Sequence, residues 1–499
     1  IMVQMPIVNA EEANAQILEG GQSVSLAEMV TAAQDGDTIT LTSDVELSEI
    51  LVIDKAITLD GNGKTLTSTA NRAINVSGAD GVVIKNLTIN ASGERAINVI
   101  QNATNVTIEN VVAKASNYTV NVAASALNAV VTIKDSNLEG LNVVNVASEN
   151  ANVKVDNTKI ICNDQNDNEN YAALTLNKDA VGGTITATNV TFDIKGDSFK
   201  ASVVAEGGVI TIDGSEDEVV KMVAYIDYGN SHATYETLAE AVADANDGDT
   251  IELIRDVTLS EMVVVDKAIT LDLNGYTVTS TAKKAIEVHA DVTINNGTIN
   301  AANRCVDTRT NVELTLNDVT LISNKYNSFG NPQPLTVGGY DHGTIINLNN
   351  VTIDAGTTGY GIITFVETDL TATDSNISGY MAVNVKDGSQ NSVFNFVNSE
   401  LVGDTGNNDV AGNATAAIVL QSDNVTVNVD KDSTVTASGN YSYAIALYQG
   451  VDDAKVRVEG EIVGNVLAAD SVDTNIVALK AEYSQNLNSI APWELVCNK

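Results

Sequence analysis

The sequence predicts an all-β fold, a right-handed parallel β-helix wound as two tandem homologous units, each preceded by a short capping α-helix. Three observations in its 499 residues predict it: a long internal duplication, a finer phrase recurring inside each copy, and alternation of apolar and polar residues within that phrase. Residues 25 to 90 recur at 237 to 300 with a two-residue slip. Asp54-Lys-Ala-Ile-Thr-Leu-Asp60 returns as Asp266-Lys-Ala-Ile-Thr-Leu-Asp272, an offset of 212 (266 less 54), and the same offset carries Asp35-Gly-Asp-Thr-Ile39 onto Asp247-Gly-Asp-Thr-Ile251. The boundaries this implies are an N-terminal segment 1–24, a first unit 25–222, a second unit 223–470 and a C-terminal cap 471–499.

The fine phrase reads apolar-Thr-apolar-x-Asn/Asp. Its central apolar residue falls at Ile84, Ile108, Ile133, Val155, Ala187 and Ile212, mostly 22 to 25 residues apart with one step of 32. In the second copy it falls at Ile294, Leu316, Leu348, Ala372, Phe396 and Val429, and two longer steps there predict loops near 325–340 and 400–415. Period-2 alternation rich in Val, Ile and Thr is the mark of a half-buried strand. A coil of about 22 residues is too short for a strand-helix-strand crossover, yet it holds two or three short strands separated by bends. Stacking about 15 to 17 such coils at roughly 4.8 Å gives a β-helix. The Asn or Asp two places after the central residue belongs at a bend, where it tolerates a left-handed backbone and can stack on its equivalents in successive coils.

A helix opens each copy. Ser25-Leu-Ala-Glu28 and Thr237-Leu-Ala-Glu240 are capping boxes, followed by apolar residues at i, i+3, i+4 and i+7: Leu26, Met29, Val30 and Ala33, then Leu238, Ala241, Val242 and Ala245. Gly36 and Gly248 are expected to end the two helices. Such a helix covers the open end of a solenoid core.

The run from helix through Gly36-Asp-Thr-Ile39 to Thr58-Leu-Asp-Gly-Asn-Gly63, repeated as Thr270-Leu-Asp-Leu-Asn-Gly275, resembles the opening coils of pectate-lyase-like parallel β-helix proteins. It is especially similar to repeat units of large bacterial cell-surface proteins. The resemblance covers residues 25 to 470 and implies the fold; activity stays open, because this architecture carries enzymes, adhesins and fibre proteins alike.

With 65 acidic and 26 basic residues the net charge is −39, which repels nucleic acid and anionic membranes. No run of 18 apolar residues exists, so no membrane insertion is expected. Three cysteines in 499 residues make no disulfide scaffold. Cys305 stands where the first copy has Ala96 and reads as a buried thiol, while a bridge between Cys162 and Cys497 stays open. Val8-Asn-Ala10 resembles the end of a secretory signal, from which an exported or cell-surface protein is expected; alternatively the apolar segment from Ile1 is a strand, kept within its own molecule or added to a neighbouring one.

Catalysis finds little support in the residues. Asp452-Asp453 is an adjacent carboxylate pair, and Asp341-His-Gly343 only partly echoes the motifs of pectin hydrolases of this fold. His232, His289 and His342 have no telling sequence neighbours, and a lyase's proton-accepting Lys or Arg is hard to find because few basic residues lie on the strands; Lys85 and Lys134 read as surface decoration. Asn163-Asp-Gln-Asn-Asp-Asn-Glu-Asn170 and Asp213-Gly-Ser-Glu-Asp-Glu218 concentrate oxygens as Ca²⁺ sites do, yet match no EF-hand or nonapeptide pattern. About a dozen Asn-x-Ser/Thr sequons, among them Asn86, Asn105, Asn189, Asn296, Asn350 and Asn424, coincide in part with the bend phrase and read first as fold.

No catalytic, cofactor-binding or metal-ligating residue is therefore assigned. The expected function is a non-enzymatic exported structural protein, a cell-surface rod acting as an adhesin or as subunit of a layer or fibre. Its partners would be copies of itself, joined through the N-terminal strand and the segment Asn488 to Lys499 with Trp493 and Cys497, and surface glycans. The alternative is a carbohydrate-binding or carbohydrate-cleaving β-helix, for which Tyr340, Tyr360, Tyr380 and Tyr441 are the aromatic candidates. A trimeric spike would need apolar strips that the sequence does not display.

Overall fold

The structure, a computed structural model, describes residues 24–164, 171–309, 311–339, 343–404, 415–438, 442–448, 451, 453–463, 476–477 and 493–496. It is an all-β, right-handed parallel solenoid of about 16 turns. The chain divides into two compact units, Ile1–Met222 and Val223–Lys499. The first unit contains sheets of 13 and 8 strands, the second sheets of 19 and 9.

Each coil lays its strands parallel to those of the coil before, in register on the repeated apolar residue. Leu59 pairs with Ile84, Ile84 with Ile108, Ile108 with Ile133, Ile133 with Val155, Val155 with Ala187, and Ala187 with Ile212. The second unit repeats the column from Leu271 through Ile294, Leu316, Leu348, Ala372 and Phe396 to Val429. All of these side chains are buried, and each Ile or Leu among them contributes roughly 1.5–3 kcal/mol by leaving water. A one-residue slip would turn the whole column outward, so the apolar phrase fixes the register.

The bends follow the sequence expectation. Asn86, Asn110, Asp135, Asn157 and Asn189 all adopt left-handed φ between 45° and 52°, as do Asn296, Asp318, Asn350, Asp374 and Asn398 between 46° and 57°. Asn110 Nδ2 donates to Asn86 Oδ1 at 2.8 Å, Asn157 to Asp135 at 2.6 Å, and Asn350 to Asp318 at 2.6 Å.

Helix α1 (Leu26–Ala32) and helix α2 (Leu238–Asp244) both start from complete capping boxes and bury Leu26 and Val30, or Leu238, Ala241 and Val242, against the first coil of their unit. Their ends differ from expectation. Extended residues Ala33 and Ala245 stop the helices, and Gly36 and Gly248, at φ near 90°, serve the turn that follows. Lys55 Nζ and Lys267 Nζ reach back to the last-turn carbonyls of Thr31 and Ala243.

Antiparallel strands, which the sequence did not foretell, close the edges of the second unit. Ala224–Asp227 pairs antiparallel with both His232–Tyr235 and Thr250–Leu253. Trp493–Val496 pairs antiparallel with Lys455–Val458, so this part of the C-terminal segment lies on its own unit. The loop foreseen near 325–340 runs from 323 to 334, whereas residues 405–414 and the N-terminal segment 1–23 lie outside the described residues. Cys162 and Cys305 are free and buried, and Cys497 lies outside the described residues; burial pushes the Cys305 thiol up to about 12.

Candidate functional site

The site lies on two stacked strands of the second unit, Lys284–Val288 and Arg304–Thr308. They run parallel with Lys284 beside Arg304, Ile286 beside Val306 and Glu287 beside Asp307. Strict alternation is broken in both. Ala285 and Ile286 are buried in succession, as are Cys305 and Val306, so residues three apart, Lys284 with Glu287 and Arg304 with Asp307, meet on the outer side. His289 and Arg309 follow the two strands and complete a six-residue cluster.

Asp307 is its hub, with a fully buried side chain. Its Oδ2 accepts from Arg304 Nη1 at 2.8 Å and Arg309 Nη2 at 3.2 Å and lies 3.0 Å from Lys284 Nζ; its Oδ1 has no partner. Glu287, 12% exposed, accepts at Oε2 from Lys284 Nζ at 2.5 Å and from Arg309 Nε at 3.2 Å. Its Oε1 lies 2.8 Å from His289 Nε2. Burial raises the Glu287 carboxyl, but the hydrogen bonds from Lys284 and His289, with the Lys284 charge and the bond from Arg309, outweigh it and bring it down to about 2.

Two consequences follow. Three permanent cations surround two carboxylates, an excess of positive charge inside a chain of net charge −39. And because ionised Glu287 can only accept, the Nε2–H of His289 donates to it, and the carboxylate fixes how the ring is turned. A carboxylate that orients a histidine base is the arrangement of a proton-abstracting site.

Tyr360 stands on the column of Lys284 and Arg304. Val306 pairs with Leu335 and Leu335 with Ile362, and Tyr360 precedes Ile362 as Arg304 precedes Val306, two coils or about 10 Å away. Its hydroxyl accepts from Asn331 Nδ2 at 3.1 Å. Tyr380 is half-buried; Tyr340, Tyr441, His342, Asp341 and Asp452 lie outside the described residues. His232 stacks on Tyr225, and Lys85 and Lys134 form surface ion pairs with Asp60 and Glu109. Among the described residues no group of three or more His, Cys, Asp and Glu side chains could hold a metal. In the Asp213–Glu218 loop, Glu216 pairs with Lys221 and Glu218 with Lys200, while 165–170 lie outside the described residues.

The sequence reading missed this cluster: it gave His289 no telling neighbour, whereas the Glu287 carboxylate two residues before it lies against the ring. Period-2 reasoning puts residues three apart on opposite faces, and only the doubled burial at 285–286 and 305–306 brings them together.

No family model matches the chain, and no curated relative does. Its fold is the pectate-lyase-like parallel β-helix. Among solved structures it resembles that of the PL6 family alginate lyase AlyGC, at 10% identity and a TM-score of 0.29 over 87% of this chain and 98% of that one. An arginine-to-alanine variant of that enzyme is similar at 10% identity and a TM-score of 0.25 over the same shares. Both neighbours are alginate lyases, and the expectations of a non-enzymatic scaffold and of no enzyme are corrected on that finding. The physical reason is the cluster, which supplies the basic and orienting groups that those expectations took to be missing. No helix among the described residues is long and apolar enough to cross a membrane.

Proposed function

We propose that the chain is a carbohydrate-cleaving β-helix protein that acts outside the cell on an acidic polysaccharide by elimination, at the site formed by Lys284, Glu287, His289, Arg304, Asp307 and Arg309. The observation that carries this is the Glu287–His289 pair set beside three cations on one face of a coil.

Elimination at a uronate needs the sugar carboxylate neutralised, a base for the proton on the adjacent carbon, and a proton for the leaving oxygen. Arg309, a third exposed, spends two of its five N–H donors on Glu287 and Asp307 and keeps others for a sugar carboxylate. The His289 imidazole, turned by Glu287, takes the carbon-bound proton. The electron pair forms the ring double bond as the glycosidic C–O bond breaks, and the departing oxygen takes up a proton from solvent, to which His289 afterwards returns the one it took; no water is consumed. Hydrolysis fits less well, because it asks one carboxyl to stay protonated as the acid, and Glu287 is held ionised far below the ordinary range. Tyr360, two coils along, offers an apolar ring to a neighbouring sugar of the same strand.

The test is release of unsaturated sugar ends, followed by ultraviolet absorbance, from a panel of acidic polysaccharides. His289→Gln should lower the rate by roughly 10²-fold or more. A variant as active as the parent, or no unsaturated product from any acidic polysaccharide, overturns the proposal.

A further inference from the structure

We propose a second, non-catalytic anion-binding site on the first unit, formed by Arg72, Arg95 and Asn75, that holds the carboxylate or sulfate groups of an acidic polysaccharide. The strands Arg72–Ser77 and Arg95–Ile100 hold Arg72 beside Arg95 and Asn75 beside Asn98. Two guanidinium groups thus lie on adjacent coils, about 4.8 Å apart at the backbone. Like charges directly opposite one another repel, and a fold retains them where an anion joins them.

Nothing internal plays that part. Among the described residues the Arg72 side chain forms no ion pair and no hydrogen bond, and its Nε is buried without a partner. Arg95 gives Nη1 to the neutral Asn98 Oδ1 at 3.2 Å, has Glu94 at 3.5 Å, and leaves its own Nε unpartnered. Its guanidinium lies 5.3 Å from the centre of the Tyr118 ring, on the next coil of the same column.

The amides beside the arginines point the same way. Asn145 donates to Asn121 at 2.7 Å, Asn121 to Asn98 at 2.7 Å and Asn98 to Asn75 at 2.9 Å, so every amide dipole in the row has one direction. Such a chain polarises cooperatively, and its donor end is Asn75 Nδ2, which has no acceptor among the described residues and lies on the strand of Arg72. Two arginines and an amide N–H lie in register on one face, and Glu94 reaches Arg95 and not Arg72, so the surplus of donors suits an oxyanion rather than a cation. The site lacks counterparts of Glu287, His289 and Arg309: Asn75, Ser77 and Ile100 stand in their places, so it binds without a base. Only the choice of a polysaccharide as carrier of the anion rests on the function proposed above.

The test is affinity electrophoresis of the full chain through gels containing polyuronate, a sulfated polysaccharide or neutral dextran, with release of unsaturated ends from short oligouronides measured in parallel. Arg72→Gln/Arg95→Gln should weaken retention by the acidic gels about tenfold or more, leave dextran unaffected, and leave oligouronide cleavage as in the parent. Loss on both acidic gels marks a general oxyanion site, and loss on polyuronate alone a carboxylate site. Should the double variant melt early, Asn75→Asp, which places a carboxylate beside Arg72, must reproduce the loss. Unchanged retention in a folded variant, or a parent that no acidic gel retains, sinks the proposal. Retention that depends on Arg72 and Arg95 without any cleavage removes the reaction at His289 and leaves this site standing.

Discussion

The two units carry the same strands at the same stage of their winding and fill one face of them in opposite ways. In the first, Arg72, Asn75 and Ser77 sit over Arg95, Asn98 and Ile100, and the amides join a neutral row through Asn121 to Asn145. In the second, Lys284, Glu287 and His289 sit over Arg304, Asp307 and Arg309, and the row is an ion network confined to two coils. An amide is donor and acceptor at once, so stacked asparagines satisfy one another and the row can extend for as long as coils are added. A carboxylate only accepts, so replacing Asn75 and Asn98 by Glu287 and Asp307 demands cations, and His289 and Arg309 are present where the first unit has Ser77 and Ile100. The backbone is indifferent to the exchange; chemistry is carried by side chains on an unchanged coil.

The sharpest way to break this comparison is to remove the hub of each face. Asp307→Leu leaves Lys284, Arg304 and Arg309 without the buried oxygen they share and should cost roughly 3–5 kcal/mol. Asn98→Leu leaves one acceptor and one donor of the amide row unpaired and should cost roughly 1–3 kcal/mol. Hydrogen exchange of peptides spanning 284–309 and 72–100 reads the two faces separately. Equal costs would mean that the second unit's network is no more demanding than neutral amides.

Acid sharpens the comparison next. Glu287 ionises in the fold at about 2, against an ordinary 4.5. A carboxyl depressed on folding contributes stability that is fully present above its unfolded value and is lost as pH falls through the folded one. The contribution should therefore be complete above about pH 4.5 and fade toward pH 2, with roughly 3 kcal/mol as its upper bound at about 1.4 kcal/mol for each pH unit between them. Exchange protection across 284–289 should fall over that window, and Glu287→Gln should flatten the fall. A fall of the same depth in the Gln variant would assign it to other carboxyls.

Much of the fold was legible because the phrase that encodes it obeys period 2. Ile84, Ile108 and Ile133 stack as their spacing foretold, Asn86 and Asn110 take the left-handed bend, and Ser25 and Thr237 cap their helices. The candidate site was illegible for the converse reason. Lys284 and Glu287 share a face only through the two consecutive buried residues between them, and Arg309 reaches Glu287 only because coils stack, a contact between residues 22 apart that no local pattern encodes. The antiparallel strand Ala224–Asp227 was hidden likewise, since nothing in its alternation distinguishes antiparallel from parallel pairing.

The smallest effect separates ion pairs by depth. Lys134 and Glu109, 3.2 Å apart on neighbouring coils of the first unit, are each 38% exposed, whereas Lys284 and Asp307 in the second are 16% and 0% exposed. Water competes for the outer pair and salt screens it, so Lys134→Ala should cost below about 1 kcal/mol at low salt and nothing measurable at 1 M. The inner pair has exchanged water for its partners, and raised salt should leave the cost of Lys284→Ala largely intact. Denaturation of both variants across a salt series gives the two slopes; a flat slope for Lys134→Ala would show that the outer pair, despite its exposure, is held as the inner one is.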